Sequence, residues 1–252
     1  MKLNVSKCKV LSLSRHSNVV KYDYGFTTPN QGVVVLDHEY LVKDLGVLID
    51  PDLTFDEHIS EKINVASKML GIIRRNFIDL DKNCFLLLYK SLVRSHLEYA
   101  GSVWNPYKKG LIGEIEAIQK RATKLLRGCK GLSYEERLRW LHLPTLKYRR
   151  FRGDMLEVYK ILNNLYDVKA VPTLTLNLDT RTRGNSFKLI VERSHYDLRK
   201  FSFCNRVVRA WNTLPDTVVM VDSVNAFKNN LDTFCMLDMF YSDWEANLPG
   251  CK

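Results

Sequence analysis

The sequence holds little that would tie it to a membrane, a metal or an oxidising compartment. No apolar run approaches the roughly 18 residues that a membrane-spanning helix needs. The opening Met1-Lys2-Leu3-Asn4-Val5-Ser6-Lys7 has no apolar stretch of the kind a secretion signal carries. Six cysteines (Cys8, Cys84, Cys129, Cys204, Cys235, Cys251) lie far apart and never form C-x-x-C. A structural zinc site needs close ligand pairs, and a disulfide framework belongs to a shorter chain. The expectation is reduced thiols in an intracellular protein, cytoplasmic or nuclear, where the Asn4-Val5-Ser6 sequon means nothing. H-E-x-x-H, G-x-S-x-G and P-loop patterns are missing too, and the six histidines are scattered, so no catalytic residue and no metal ligand is assigned. Asp50 and Asp52, either side of Pro51, could hold a divalent ion, but Asp-Pro-Asp is also ordinary turn chemistry.

What is present is ordinary globular composition with an uneven charge. Of 252 residues, 46% are hydrophobic and 26% charged, which suits one large domain or two small ones. The formal net charge is +10. Between Glu114 and Arg152 eleven basic residues (Lys120, Arg121, Lys124, Arg127, Lys130, Arg137, Arg139, Lys147, Arg149, Arg150, Arg152) face only four acids. From Asp222 to Glu245 the sign reverses. A basic excess confined to one segment raises a positive potential that attracts polyanions.

The hydrophobic period divides the chain into three. Residues 1–50 read as short strands: the alternating Cys8-Lys9-Val10-Leu11-Ser12-Leu13-Ser14, then Gly32-Val33-Val34-Val35-Leu36 and Leu45-Gly46-Val47-Leu48-Ile49, bounded by Pro29-Asn30 and Asp50-Pro51-Asp52. Their aliphatics predict burial on at least one face. Residues 51–168 turn helical. Thr54-Phe55-Asp56-Glu57 reads as a capping box ahead of Ile59, Ile63, Ala66, Leu70, Ile73 and Phe77 on one face. Asp81 caps a second helix, which carries Leu88, Leu92 and Tyr99 and reaches about Gly101. A third turns Ile115, Ile118, Ala122 and Leu125 inward and Lys120, Arg121, Lys124 and Arg127 outward, with Gly128 as its stop. Ser133-Tyr134-Glu135-Glu136 opens a short helix ending before Pro144, and Leu146 to about Tyr166 makes the next. In residues 169–252 the pattern weakens: Val171–Leu176 and Phe187–Val191 suit strands or extended loop, Phe201–Trp211 and Val224–Asp238 suit helices. The fold class is α+β, mostly α: short N-terminal strands, a helical bundle and an irregular C-terminal segment.

Lys120, Arg121, Lys124, Arg127, Lys147, Arg149, Arg150 and Arg152 are the candidate phosphate contacts, since long basic side chains on helices reach a nucleic-acid backbone. Trp104, Tyr107, Trp140, Tyr148, Phe151 and Trp211 sit among basic residues, where bases could stack on them. Large aromatics in a domain of this size more often pack inside.

The order of short motifs resembles one family. Leu45-Gly46-Val47, within Lys43-Asp44-Leu45-Gly46-Val47-Leu48-Ile49-Asp50, looks like the strand segment that follows the active site in reverse transcriptases of non-LTR, LINE- or jockey-type retrotransposons. Asn4-Val5-Ser6-Lys7 is similar to an Asn-x-x-Lys stretch of their last palm strands. Leu53-Thr54-Phe55-Asp56-Glu57-His58-Ile59 and Leu70-Gly71-Ile72-Ile73-Arg74 resemble the start of the thumb. Tyr99-Ala100-Gly101-Ser102-Val103-Trp104-Asn105-Pro106, Ile118-Gln119-Lys120-Arg121-Ala122 and Leu146-Lys147-Tyr148-Arg149-Arg150 continue the series. Arg206 to Pro215 and Phe227-Lys228-Asn229-Asn230-Leu231 complete it.

The resemblance implies the end of the palm, the thumb and the C-terminal segment of an RNA-directed DNA polymerase. It makes Lys43, Leu45 and Gly46 primer-grip positions, and RNA or an RNA–DNA duplex the partner, alongside the rest of a longer or split enzyme. The family's catalytic [FY]-A-D-D hairpin, whose aspartates hold Mg2+ in the full-length enzyme, precedes the Asn4 position and is not among these residues. The expectation is therefore a segment that needs no cofactor and does not polymerise alone. A protein-interaction module derived from a mobile element, or a decayed reading frame, would leave the same residues.

Overall fold

Among the described residues every strand falls before residue 50 and every helix of more than one turn after it. The computed structural model describes residue 4 and residues 7–14, 22–28, 32–177 and 184–235. The Pro29-Asn30 turn, the full Asn4-Val5-Ser6 sequon and the expected helix beyond Cys235 lie outside them. The chain divides into two compact units, residues 1–61 and 62–252. No helix is long and apolar enough to cross a membrane among the described residues.

The first unit holds two hairpins. In one, β1 (Gly25–Thr28) pairs antiparallel with β2 (Gly32–Val35), Phe26 opposite Val34. In the other, β3 (Val42–Asp44) pairs with β4 (Val47–Ile49), Lys43 opposite Leu48. Three expectations are corrected here. Cys8–Ser14 makes only one isolated parallel bridge, Val10 to His38, and no ladder. The valines of β2 are not buried: Val33 is 69% and Val35 55% exposed, because a two-stranded sheet brings no further layer of its own. Leu45 and Gly46 form the turn between β3 and β4 instead of opening a strand. Their φ angles of +44° and +86° are those of a type I′ turn, whose twist matches the flanking strands.

Asp50 sets the start of α1 (Asp56–Asn76). Its carboxylate accepts the amides of Asp52, Thr54 and Phe55 at 3.0, 3.0 and 2.7 Å, and the Thr54 hydroxyl at 3.3 Å. Leu53 and Phe55 take left-handed φ values of 52° and 59° to close this loop. The helix therefore starts from a buried carboxylate five residues before Phe55, where the sequence suggests a local box at Thr54. His58, also buried, accepts the Leu48 amide on Nδ1 at 3.1 Å and ties β4 to the first turn of α1.

The second unit is helical. Ala66, Leu70 and Ile73 of α1 are buried, as the period predicts, but Phe77, read onto the same face, lies past the helix end and is exposed. Asp81 caps α2 (Lys82–Leu88), accepting the Cys84 amide at 2.8 Å. That helix continues through a π-helical turn, Tyr89–Arg94, into α3 (Ser95–Glu98). The four-residue spacing of Phe85, Tyr89, Val93 and Leu97 keeps one buried face through it, whereas Leu92 and Tyr99, expected from the sequence, are exposed. Ala100, at φ +53°, turns the chain into α4 (Gly101–Trp104). Next come α5 (Lys109–Thr123) and a 3-10 turn, Arg127–Cys129. In α6 (Tyr134–Leu141) both bonds of the Ser133–Glu136 capping box form, and left-handed His142 ends the helix before Pro144. Thr145 caps α7 (Leu146–Leu162). The segments that suit strands or extended loop are extended loop, joined by one antiparallel bridge, Leu176 to Leu189. The chain then makes α8 (Asp197–Lys200), α9 (Phe203–Asn212), α10 (Asp216–Val219) and α11 (Val224–Cys235).

The C-terminal helices pack on α7. Phe151, Met155, Val158 and Tyr159 meet Val207, Val208 and Trp211 of α9 and Phe227 and Leu231 of α11 in one buried cluster. Phe227 stacks on Tyr159 at 4.5 Å between ring centres and on Trp211 at 5.9 Å. Trp211 donates its indole N–H to the Phe187 carbonyl at 2.8 Å. Asn185 donates to the carbonyls of Trp211 and Leu214, both at 3.0 Å. The irregular segment around residues 185–189 is thus held by side-chain bonds to the end of α9.

Candidate nucleic-acid interface

The eight basic candidates divide between two roles. On α5 the buried residues Ile115, Ile118, Gln119 and Ala122 leave the opposite face to charge. Arg121 and Lys124 are exposed there, as is Arg127 just beyond the helix, while Lys120 is half-buried with its Nζ 5.3 Å from the centre of the Tyr134 ring. Arg121 donates to the Ser67 hydroxyl of α1 at 3.2 Å, and Arg127 pairs with Asp79, just past the end of α1, at 2.7 Å. These two contacts join α5 and the turn after it to α1 and the residues that follow it. Arg74 lies seven residues after Ser67, two turns along the same helix face, and is exposed. Exposed Lys68 and Arg75 flank it. The sequence displays these three residues openly, but the Ser67–Arg121 contact that joins their helix to α5 spans 54 residues and is not local.

The basic residues of α7 face inward. Arg149 binds Glu98 through two bonds, Nε to Oε1 at 2.6 Å and Nη2 to Oε2 at 2.8 Å. Arg152 grips Asp232 of α11 in the same way at 2.6 and 2.8 Å, beside the Tyr148 hydroxyl at 2.7 Å. Arg150 is 7% exposed, in the field of Glu116, Asp154 and Glu98, and burial pulls its pKa down. Lys147 is half-buried. Arg149 and Arg152 thus hold helices together, while Arg150 is buried with both Nη atoms lacking a hydrogen-bond partner among the described residues. Their density in the sequence reflects the central position of α7 among charged neighbours.

Carboxylates complete that framework. Asp154 meets Arg206 of α9 at 2.9 and 3.0 Å and accepts from Asn105 at 3.0 Å. Glu116 accepts the Leu146 amide at 3.0 Å and the Tyr134 hydroxyl, linking α5, α6 and α7. Burial pushes both carboxyls up, against the opposing pull of Arg206 on Asp154 and of Tyr134 on Glu116. Burying a charge in this way is tolerated only because each oxygen finds donors.

Lys43, Leu45 and Gly46 lie together on the β3–β4 hairpin. Lys43 is exposed, 4.0 Å from Glu61, and Leu45 at the tip is 84% exposed. A leucine with positive φ and its side chain in water is costly twice over. The Asp50 oxygens are taken up by loop amides, and among the described residues no group of three or more His, Cys, Asp or Glu is placed to hold a metal.

Comparison with known proteins gives weak, partial similarities. Over 136 residues, 53% of this chain and 69% of the other, it is 26% identical to an uncharacterized protein of Caenorhabditis elegans. Over 93 residues, 35% of this chain, it is 29% identical to the "Probable RNA-directed DNA polymerase from transposon X-element" of Drosophila melanogaster. That stretch covers only 10% of the polymerase. No family model matches, and no solved structure matches. The chain is thus distantly related to a retrotransposon reverse transcriptase.

Proposed function

We propose that this chain is the palm-end and thumb part of a non-LTR-type reverse transcriptase and that it holds RNA or an RNA–DNA duplex by the phosphates. The gripping face consists of Arg121, Lys124 and Arg127, with Lys120 at its rim and Arg74 added from α1. The observation that carries this is the shared exposure of Arg121, Lys124 and Arg127 on and just beyond α5, with the Arg121–Ser67 contact joining α5 to α1. The relation to the X-element polymerase supports a nucleic-acid partner. On the same proposal the exposed β3–β4 tip, with Lys43, Leu45 and Gly46, meets the primer strand.

Salt dependence tests the phosphate face. Each neutralised phosphate contributes about −0.9 to the slope of log affinity against log salt on B-form DNA. Four contacts give a slope of roughly −3 to −4, and changing Arg121 and Lys124 together to Ala lowers it by about 2 while weakening all sequences alike. Binding that ignores salt, or no binding at low salt, would favour a protein-interaction role instead.

A further inference from the structure

Six aromatic residues sit among basic ones in the sequence, and the structure separates them. Trp104, Tyr148, Phe151 and Trp211 are buried. Tyr107 is half-buried and stacks on Phe201 at 4.2 Å. Trp140, at the end of α6, is 40% exposed. Its exposure is not that of a loose side chain. The six-membered edge of the indole lies against Gly128, where a Cβ would stand 3.4 Å from Cη2. Lys82 sets its ammonium over one face of the ring, 4.8 Å from its centre, and donates to the Trp140 carbonyl at 2.6 Å, which leaves the opposite face for a base. The ring is held in place while part of its surface stays in water.

Its position matters as much as its exposure. Gly128 directly follows Arg127, so the indole abuts the end of the basic face, with exposed Lys130 two residues further on. Arg127 is paired with Asp79, but both side chains are 72% exposed. Such a pair is worth little and exchanges readily for a phosphate. A fixed, partly exposed indole bordered by cations is complementary to an unpaired base attached to its phosphates. A duplex does not present such a base, because its bases are stacked inside.

We propose that Trp140 is a stacking site for an unpaired nucleobase, and that a single-stranded stretch of nucleic acid crosses it with its phosphates on Arg127 and Lys130. This rests on the phosphate-binding face proposed above and adds a single-strand site at its end.

The test uses the full chain with fluorescent oligouridylate, oligothymidylate and a duplex of equal length, at low salt. Trp140→Leu removes the aromatic face and Trp140→Phe keeps a smaller one. Losing one stacked base weakens single-strand binding by a factor of about 5 to 150. The Leu variant should show that loss on both single strands, the Phe variant less, and duplex affinity should stay within about twofold. Equal losses on the two single strands point to base stacking alone, and a larger loss on oligouridylate points to RNA as the natural strand. If wild type binds single strands and the Leu variant binds them as tightly, the stacking site is wrong and the phosphate face survives. If wild type binds neither single strand nor duplex, both fall. Should Trp140→Leu fail to fold, the fluorescence difference between wild type and Trp140→Phe decides: quenching by oligothymidylate supports stacking, and unchanged emission overturns it.

Discussion

Arg149 and Glu98 meet face to face, two nitrogens on two oxygens, 51 residues apart in the chain. Arg94 adds a third approach to the same carboxylate, its Nε 3.4 Å from Oε1. This pair fastens the end of α3 to α7, so a residue that reads as a phosphate contact is committed inside the protein. Truncating one partner of a half-buried, charge-assisted bond leaves the other poorly solvated, at a cost of about 1–3 kcal/mol. Arg149→Ala should lower stability in urea by that amount and leave the salt slope of nucleic-acid binding unchanged. A fall in slope with unchanged stability would return Arg149 to the surface role.

Phe227 should be among the costliest truncations. It is fully buried between Tyr159 and Trp211 and joins α11 to α7 and α9. Phe227→Ala removes a whole ring from a packed cluster, at about 3–5 kcal/mol. Thermal unfolding should shift down accordingly. A loss below about 1 kcal/mol would mean that α11 is not integral to this core.

Cys235 gives the second unit a dependence on alkaline pH. Burial first, then the nearby Asp232 carboxylate, push its thiol from the ordinary 9.0 to about 11. The folded thiol holds its proton more tightly than the unfolded one. Its contribution is therefore complete below pH 9 and is lost as pH rises through 11, by roughly 2–3 kcal/mol. Cys235→Ala should flatten the stability profile across that window. Identical profiles for wild type and variant would show that the thiol is not the group responsible.

Leu45 is a position where stability and use are expected to conflict. Both turn residues have positive φ, which Asn-Gly satisfies far better than Leu-Gly. Leu45→Asn should stabilise the β3–β4 hairpin by about 1 kcal/mol, seen as slower amide exchange at Asp44 and Val47. If the tip also meets the primer, the same change should weaken binding to a primed template. No gain in protection would contradict the type I′ turn.

Local patterns carried much of this fold. The Ser133–Glu136 box, the Asp81 cap and the apolar faces of α1 and α5 form from residues within a turn or two of one another, and all are legible in the sequence. The start of α1 was not, because Asp50 acts from beyond the Thr54 box through a loop with two left-handed residues. The β2 valines misled for a related reason: strand composition is local, but a covering layer is not. On the candidate site, the outward face of α5 followed from the 3.6-residue period. Arg74 was missed because its relevance depends on which helix lies beside α1.

By itself the sequence determined where most helices run, which stripe of each is apolar and that positive charge gathers between residues 114 and 152. Only the tertiary structure decided which of those charges remain for a partner. Arg121 and Lys124 stayed exposed, whereas Arg149 and Arg152 were claimed by Glu98 and Asp232 from 51 and 80 residues away. Helical period arises from backbone bonds four residues apart, so it can be read locally. The partner of a buried charge is set by which distant helix packs against it, and that is known only once the chain has folded.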